Sequence, residues 1–433
     1  MKHRTPAFVA MIAAGALALT GCSGSSGDDG SDVSLQMVET LTNPARQKIL
    51  KELIAGFEEE NPGVTVELVS PPNEQALSTL QQMLQAGNGV DVLEVQDSTV
   101  GPFTANDWLY DMNSDLADWD GWDALTENAK SFANEEGPTY LVPYGFYGLS
   151  LFYRTDLIEE AGFDEPPHSW EDMIEMAEAI NDPSANQYGY AFRGGTNGAS
   201  NAAAIITAYA ADEIDPENAF LLPDGSTVFA TPEAEEAMTD YLDLFTNGSP
   251  PSSIAWGYPE MVQGFASGST AFLLQDPEVI ATIRDDSTLE EDQWSTTPLL
   301  VGPSGKAAQP LASAGWGVAE SSEHKEEAVA LVEYLSSGDA PLTFAKGNSL
   351  VPIVTAAQDD PYFAEGPWAT YVSMNTDPDT YMNVVQPRAV EWWTEWEKKA
   401  DRELQSMLLG ESTPEDVLAG WDEYWSEKYA SEK

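Results

Sequence analysis

Residues 45–68 read ARQKILKELIAGFEEENPGVTVEL, and the change of period inside this stretch decides the fold class. Up to Glu60 the apolar residues Ile49, Leu50, Leu53, Ile54 and Phe57 fall on one stripe of a 3.6-residue helix. From Val64 onward Val64, Val66 and Leu68 alternate, as in a half-buried strand. Asn61-Pro62-Gly63 divides the two, because proline does not continue a helix and glycine turns the chain at no steric cost. The same pattern recurs on either side. Leu35 to Glu39 reads as a first strand, Leu77, Leu80 and Leu84 mark a second helix, and Asp91 to Val95 reads as a further strand. Alternating strand and helix predict an α/β lobe on a largely parallel sheet.

The rest of the chain carries clear helix starts. Ser169, with Asp172 three residues on, resembles a capping box ahead of a helix with Trp170, Met173, Ile174, Ala177 and Ile180. Thr231-Pro232-Glu233 and Thr413-Pro414-Glu415 each place an N-cap threonine, a proline at the first helical position and an acid in the first turn. Ala271 to Leu274 and Ala314 to Ala319 read as short apolar strands, and two helical stretches, about 387–409 and 414–428, end the chain. No internal repeat is visible. Roughly 400 residues exceed what one growing core holds, so two lobes are expected.

The first residues form an export signal over 1–21: basic Lys2 and Arg4, then an apolar run from Ala7 to Leu19. That run is shorter than the about 20 residues a membrane-crossing helix needs. Leu19-Thr-Gly-Cys22 resembles the lipobox of bacterial lipoproteins, which implies a lipid on Cys22 and attachment to the membrane; an ordinary cleaved signal is the alternative. Residues 22–34 are rich in Ser, Gly and Asp and read as a flexible tether. With Cys22 the only cysteine, the exported part has no disulfide and depends on its core.

Eighteen basic residues against 73 acidic ones give a net charge of −55, which repels nucleic acid and anionic membrane surfaces. Such self-repulsion predicts stability that depends on salt, the acids being spread along the whole chain; a cationic ligand is the alternative reading of the acid excess. Three histidines, His3, His168 and His324, and one cysteine cannot build a zinc or transition-metal cluster. Asp118, Asp120 and Asp123 lack the glycine and glutamate of a calcium loop and read as a solvated turn. No nucleophile elbow or dinucleotide fingerprint occurs, and Gly302-Pro-Ser-Gly-Lys306 is too short for a phosphate loop, so no cofactor is expected.

Several segments in order resemble the bacterial extracellular solute-binding proteins of the carbohydrate type, the substrate-binding components of ABC importers. They are the helix ending in Phe57-Glu-Glu-Glu-Asn-Pro-Gly63, Asp91-Val-Leu-Glu-Val-Gln-Asp97 with Phe103 and Trp108-Leu109, and Val142-Pro-Tyr144 leading to Leu151-Phe-Tyr-Arg-Thr-Asp156. Ala161-Gly-Phe163, Pro166-Pro-His-Ser-Trp170 and Phe265-Ala-Ser-Gly-Ser-Thr-Ala271 follow, the last with Ser269 where the family usually has lysine. The resemblance implies a two-lobed periplasmic-binding-protein-like (type II) fold with the ligand in a cleft between lobes that close by hinge motion. It implies one lobe from 35–146 plus about 277–335 and another from 147–276 plus about 336–433. It also implies a sugar ligand, membrane permease subunits as partners, a monomer, and no catalysis. A binding protein for a cationic or peptide ligand, or a secreted glycoside hydrolase, is the alternative.

A sugar offers apolar faces and a rim of hydroxyls, so its site needs aromatic plates and hydrogen-bonding groups. The family carries polar ligand contacts after its first and third strands, which here points to Thr42, Asn43 and Arg46 and to Gln96 and Asp97. It places further contacts at Tyr144, Phe146 and Tyr147, with packing as the alternative. Trp256 and Tyr258 follow a proline-rich loop, and Gln275 and Asp276 end the strand Ala271 to Leu274. Trp316 sits between Gly315 and Gly317, small neighbours that leave its ring free to face a ligand or to fill a core. Arg388 opens the helical stretch with Trp392, Trp393 and Trp396, which reads as core.

Overall fold

A computed structural model describes residues 33–431 except 43, 135, 136, 376 and 389. The signal over 1–21, Cys22 and most of the tether lie outside the described residues, as does Asn43. Val33 and Ser34, read as the end of the tether, already belong to the first strand, Val33–Val38.

Two larger sheets carry the molecule, beside a two-stranded parallel pair of Tyr381–Val384 and Ala307–Pro310. The first has five strands in the order Val64–Val69, Val33–Val38, Val92–Gln96, Ala312–Val318, Val142–Tyr147. Its first three strands are parallel, and Ala312–Val318 runs antiparallel to both its neighbours. The expectation of a largely parallel sheet is therefore right for 33–96 and stops where the late strand inserts. Leu35 and Met37 pack with Leu50, Leu53, Ile54 and Phe57 of the helix Pro44–Glu60. Val38, Leu93 and Val95 pack with Leu80 and Leu84 of the helix Asn73–Ala86 on the opposite side. With both faces covered, the inner strand Val92–Gln96 is buried along nearly its whole length and the helix stripes have a place to dock. Gly63, with φ of +100°, makes the turn between helix and strand.

The second sheet has four strands, Tyr188–Tyr190, Thr270–Gln275, Ser150–Arg154 and Trp294–Thr297. Its helices include Trp170–Ile180, which starts on a reciprocal Ser169–Asp172 capping box, and Pro232–Gly248, capped by Thr231. Two of the family-like motifs meet here: Arg154 grips Asp156 with Nε and Nη2 and donates Nη1 to the Gly268 carbonyl at 3.0 Å. The helices Trp393–Leu408 and Pro414–Ser431 close this half around Phe220, Phe229, Trp393, Trp396, Trp421 and Trp425, all buried. The first of them starts at Trp393 and not near 387, because residues 386–388 form a turn, Arg388 N donating to the Gln386 carbonyl at 2.7 Å, and carry Gln386 and Arg388 to the cavity described below.

The chain passes between the two larger sheets at Gly148-Leu149, where Val142–Tyr147 gives way to Ser150–Arg154, and again at Leu311, and it returns to the second half between the helices Ala340–Asn348 and Trp393–Leu408. The buried Gln309 side chain ties the crossings together, accepting from Leu149 N at 2.9 Å and donating to Leu149 O at 2.8 Å, as a backbone partner would. Membership of the two halves differs from the sequence expectation at two places. Trp294–Thr297 pairs with Ser150–Arg154 in the second sheet, and the helix Ala340–Asn348 packs against the helix Pro44–Glu60 in the first half. Trp294–Thr297 comes before the Leu311 crossing and Ala340–Asn348 after it, and the positions of the crossings depend on strand pairing rather than on local sequence.

Candidate functional site

Between the two sheets lies a cavity of about 290 Å³. The first half contributes Leu41, Gln96, Asp97 and Ala312 to Ala314, at strand ends; the second contributes Leu274 and Gln275 at the end of the strand Thr270–Gln275 and Asp276 and Glu278 just after it, with Tyr258 opening the preceding helix. Tyr147 and Leu149 reach it from the crossing, and Arg193, Asn197, Ser200 and Asn201 from the start of the helix Gly198–Tyr209. Gln386 and Arg388 complete the wall. Strand termini from two α/β layers thus converge on one crevice, the place such sheets offer to ligands.

Seven sequence-predicted residues line this cavity: Gln96, Asp97, Tyr147, Tyr258, Gln275, Asp276 and Arg388. Asp97 opens the helix Asp97–Ala105, accepts from Ser98 N at 2.7 Å and faces Arg388 Nη1 at 3.5 Å. Burial holds its carboxyl above the usual range, with Arg388 opposing the shift. Gln275 accepts from Asp276 N at 2.8 Å, and Asp276 from Glu278 N at 3.0 Å, a tight turn that brings two carboxylates to the wall. Burial raises the pKa of Asp276 to about 6, and burial with Asp276 beside it raises that of Glu278 to about 8.

Six other predicted residues stand elsewhere, among them Thr42, which donates Oγ1 to the Pro71 carbonyl at 2.9 Å, and Phe146, which is buried. Arg46 is fully buried behind the wall, paired with Glu39 at 3.3 Å and with Glu94, and flanked by the rings of Tyr144, Trp316 and Phe344. A guanidinium out of water requires carboxylate partners, and here two carboxylates take it, leaving it no access to a ligand. Tyr144 is buried and donates its hydroxyl to Glu94 Oε1 at 2.6 Å. Trp316 is core: a Cβ at Gly315 would strike the Val142 carbonyl and one at Gly317 the Tyr140 carbonyl. The two glycines therefore serve close strand approach, not ring exposure. Trp256 is half-buried, its ring against Gly264 of the helix Tyr258–Ala266, and does not line the cavity.

The residue that organises this wall is Glu94, which sequence reading did not single out. Its Oε2 accepts from Thr40 N at 2.5 Å, Thr40 Oγ1 at 2.7 Å and Leu41 N at 2.8 Å, and its Oε1 from Tyr144 and Arg46. Arg46 and these donors outweigh burial and hold its carboxyl below the usual range. Gln96 Nε2 donates to Thr40 Oγ1 at 3.1 Å, and the Tyr144 and Tyr147 hydroxyls are 3.1 Å apart. A single buried carboxylate thus orients two residues of the cavity wall. A charge inside the run Val92-Leu-Glu-Val95 was the available signal, since buried charges require partners.

The loop of Arg193 to Asn197 was also missed. Asn197 takes a left-handed φ of +62°, and Asp401 accepts from Asn197 N at 2.8 Å and Ala199 N at 3.0 Å, so the late helix Trp393–Leu408 pins the loop. Burial lowers the pKa of Arg193, opposed chiefly by Asp401.

The model of the bacterial extracellular solute-binding proteins matches residues 42–340. A mannitol-binding protein of Pseudomonas aeruginosa is 25% identical over 332 residues, 74% of each chain. Among solved structures, a T. maritima MalE3 bound to maltose is 22% identical with a TM-score of 0.76, covering 90% of this chain and 98% of that one. An ABC substrate-binding protein from Listeria monocytogenes in complex with cycloalternan is 20% identical with a TM-score of 0.78, covering 92% and 100%. Those structures share the two-lobed fold seen here. No helix among the described residues is long and apolar enough to cross a membrane. By the extent of the family match and the cleft between two α/β halves, the chain belongs to the bacterial extracellular solute-binding proteins.

Proposed function

We propose that this chain captures a carbohydrate in the cleft between its lobes and delivers it to the permease subunits of an ABC importer. The observation that carries the proposal is the wall itself: two tyrosines, Tyr147 and Tyr258, beside Gln96, Asn197, Asn201 and Gln386 and the paired Asp97 and Arg388. Rings for C–H faces and amides and charges for hydroxyls are what a sugar needs, and polar groups left unpaired by a wrong ligand are costly. The relatives support the class: one is a mannitol-binding protein, and the two solved structures hold maltose and cycloalternan. The cavity volume lies near the lower end of the about 300–1,000 Å³ usual for small-ligand sites, which favours a short saccharide.

The remaining site residues take the roles their positions allow. Gln96, Asp97, Tyr147, Tyr258, Gln275, Asp276 and Arg388 contact ligand, while Arg46, Tyr144 and Trp316 support the wall from behind. Closure is a rotation of the lobes about Gly148-Leu149 and Leu311. The ligand leaves unchanged, so no catalysis is involved. The Leu19-Thr-Gly-Cys22 sequence supports a lipid on Cys22 that keeps the monomeric receptor at the outer face of the membrane. Isothermal titration of the exported chain against maltose, a cyclic glucan and mannitol tests the binding role. Saturable binding with the sugar recovered intact supports it, and hydrolysis or no binding to any carbohydrate sinks it. Cys22→Ala moving the protein from the membrane fraction to the medium tests the anchor.

A further inference from the structure

One corner of the cavity differs in chemistry from the rest. Tyr147, Tyr258, Asp276 and Glu278 all line it and act on one another electrostatically. Elsewhere on the wall charge is balanced, Asp97 by Arg388. Here the Glu278 carboxylate has no hydrogen-bond or ion-pair partner among the described residues. The nearby cations are shared: Arg193, which acts on Asp276, also faces Asp401 and Glu397, and Arg46, which acts on Glu278, is held by Glu39 and Glu94.

The hydroxyl protons add a second, independent constraint. Glu94 is ionised and can only accept, so the Tyr144 hydroxyl spends its single proton on Glu94 Oε1. At the 3.1 Å contact between the two tyrosines, Tyr147 must then be the donor. Its oxygen turns only lone pairs toward the cavity. With Asp276 beside it and Glu278 lacking a partner for its charge, this corner gathers acceptors and acids, and the cations near it are shared with other carboxylates.

We propose that this corner receives a protonated amine, and that the ligand is an amino sugar or a short oligosaccharide bearing one. The inference rests on the carbohydrate reading and narrows it. An ammonium brings three donors and a compensating charge, where a hydroxyl brings one donor and none. Tyr147 Oη, Asp276 and Glu278 are the groups it meets. Glu278, faced by Asp276, Arg46, Glu94, Tyr147 and Tyr258, holds a proton at neutral pH in the empty cleft, because burial and Asp276 raise its pKa to about 8. An ammonium beside it reverses that preference, so binding at pH 7 expels the proton.

Titration calorimetry of the exported chain with glucose, glucosamine, maltose, the disaccharide of glucosamine and spermidine, at pH 7 in two buffers of different ionisation enthalpy, tests this. The expected result is roughly tenfold or greater preference for each amino sugar over its neutral counterpart, with about one proton released per ligand bound. Glu278→Gln should abolish both the preference and the proton release while still melting cooperatively. Neutral sugars binding as tightly as amino sugars overturn the inference and leave the carbohydrate reading standing. Binding of spermidine with no sugar bound overturns the carbohydrate reading and keeps the amine corner. No binding of any amine overturns the inference.

Discussion

The Tyr144 hydroxyl sits 2.6 Å from Glu94 Oε1, and behind it the same carboxylate pairs with Arg46, all three side chains sealed from solvent. Ionic core and cavity wall are thereby one network. Replacing Glu94 with Ala leaves Arg46 with Glu39 as its one carboxylate and strands Thr40 and Tyr144. A loss of about 3–5 kcal/mol is expected for breaking such a buried pair, read as a lower urea midpoint. A variant within half a kilocalorie of the parent would show that the network is not structural, the threshold being about the scatter of surface substitutions.

Tyr147→Phe removes one hydroxyl from the cavity and leaves the ring. Stability should change little, while ligand affinity falls by about 1–1.5 kcal/mol, roughly tenfold. Calorimetry on the ligand identified by screening checks it; unchanged affinity would place Tyr147 outside the contact set.

Glu278 and Asp276 predict a pH dependence of the empty protein. In the unfolded chain Glu278 ionises near its ordinary value of 4.5, whereas in the folded chain it keeps its proton up to about 8. Between those values the folded state binds the extra proton, so stability is greatest at the acid end and is lost as pH rises toward 8. Chemical denaturation at pH 5, 6, 7 and 8 should show the decline, and a shallower one in Glu278→Gln. Parallel curves for parent and variant would contradict the assignment.

Phe220 is buried among Phe229, Trp393, Trp396 and Trp425, with ring centroids 5.0–6.0 Å away. Phe220→Ala should cost about 3–5 kcal/mol through the cavity it leaves, measured by denaturant unfolding, and shift tryptophan emission to the red as water enters.

A net charge of −55 works against every compact state of this chain. Melting temperature should therefore rise as sodium chloride goes from low concentration toward 1 M, where the Debye length shrinks to about 3 Å. A flat response would mean that the surface acids are too far apart to matter.

The sequence by itself determined the elements. The period change within 45–68, the capping signals at Ser169, Thr231 and Thr413, and the terminal tryptophan-bearing helices are written in local spacing, and local spacing governs which face of a helix or strand is apolar. Polar residues at strand ends, Gln96, Asp97, Gln275 and Asp276, were legible for the same reason: where a parallel strand stops is a local event, and crevices form there. What local order does not carry is which late strand enters which sheet. Only the tertiary structure inserted Ala312–Val318 between Val92–Gln96 and Val142–Tyr147, and so buried Trp316, turned Gly315 and Gly317 into points of close backbone approach, and gave Arg46 to Glu39 and Glu94 instead of a ligand. The physical reason is that burial of a charge or a ring depends on neighbours brought from across the chain, as Glu94 and Tyr144 are to Arg46.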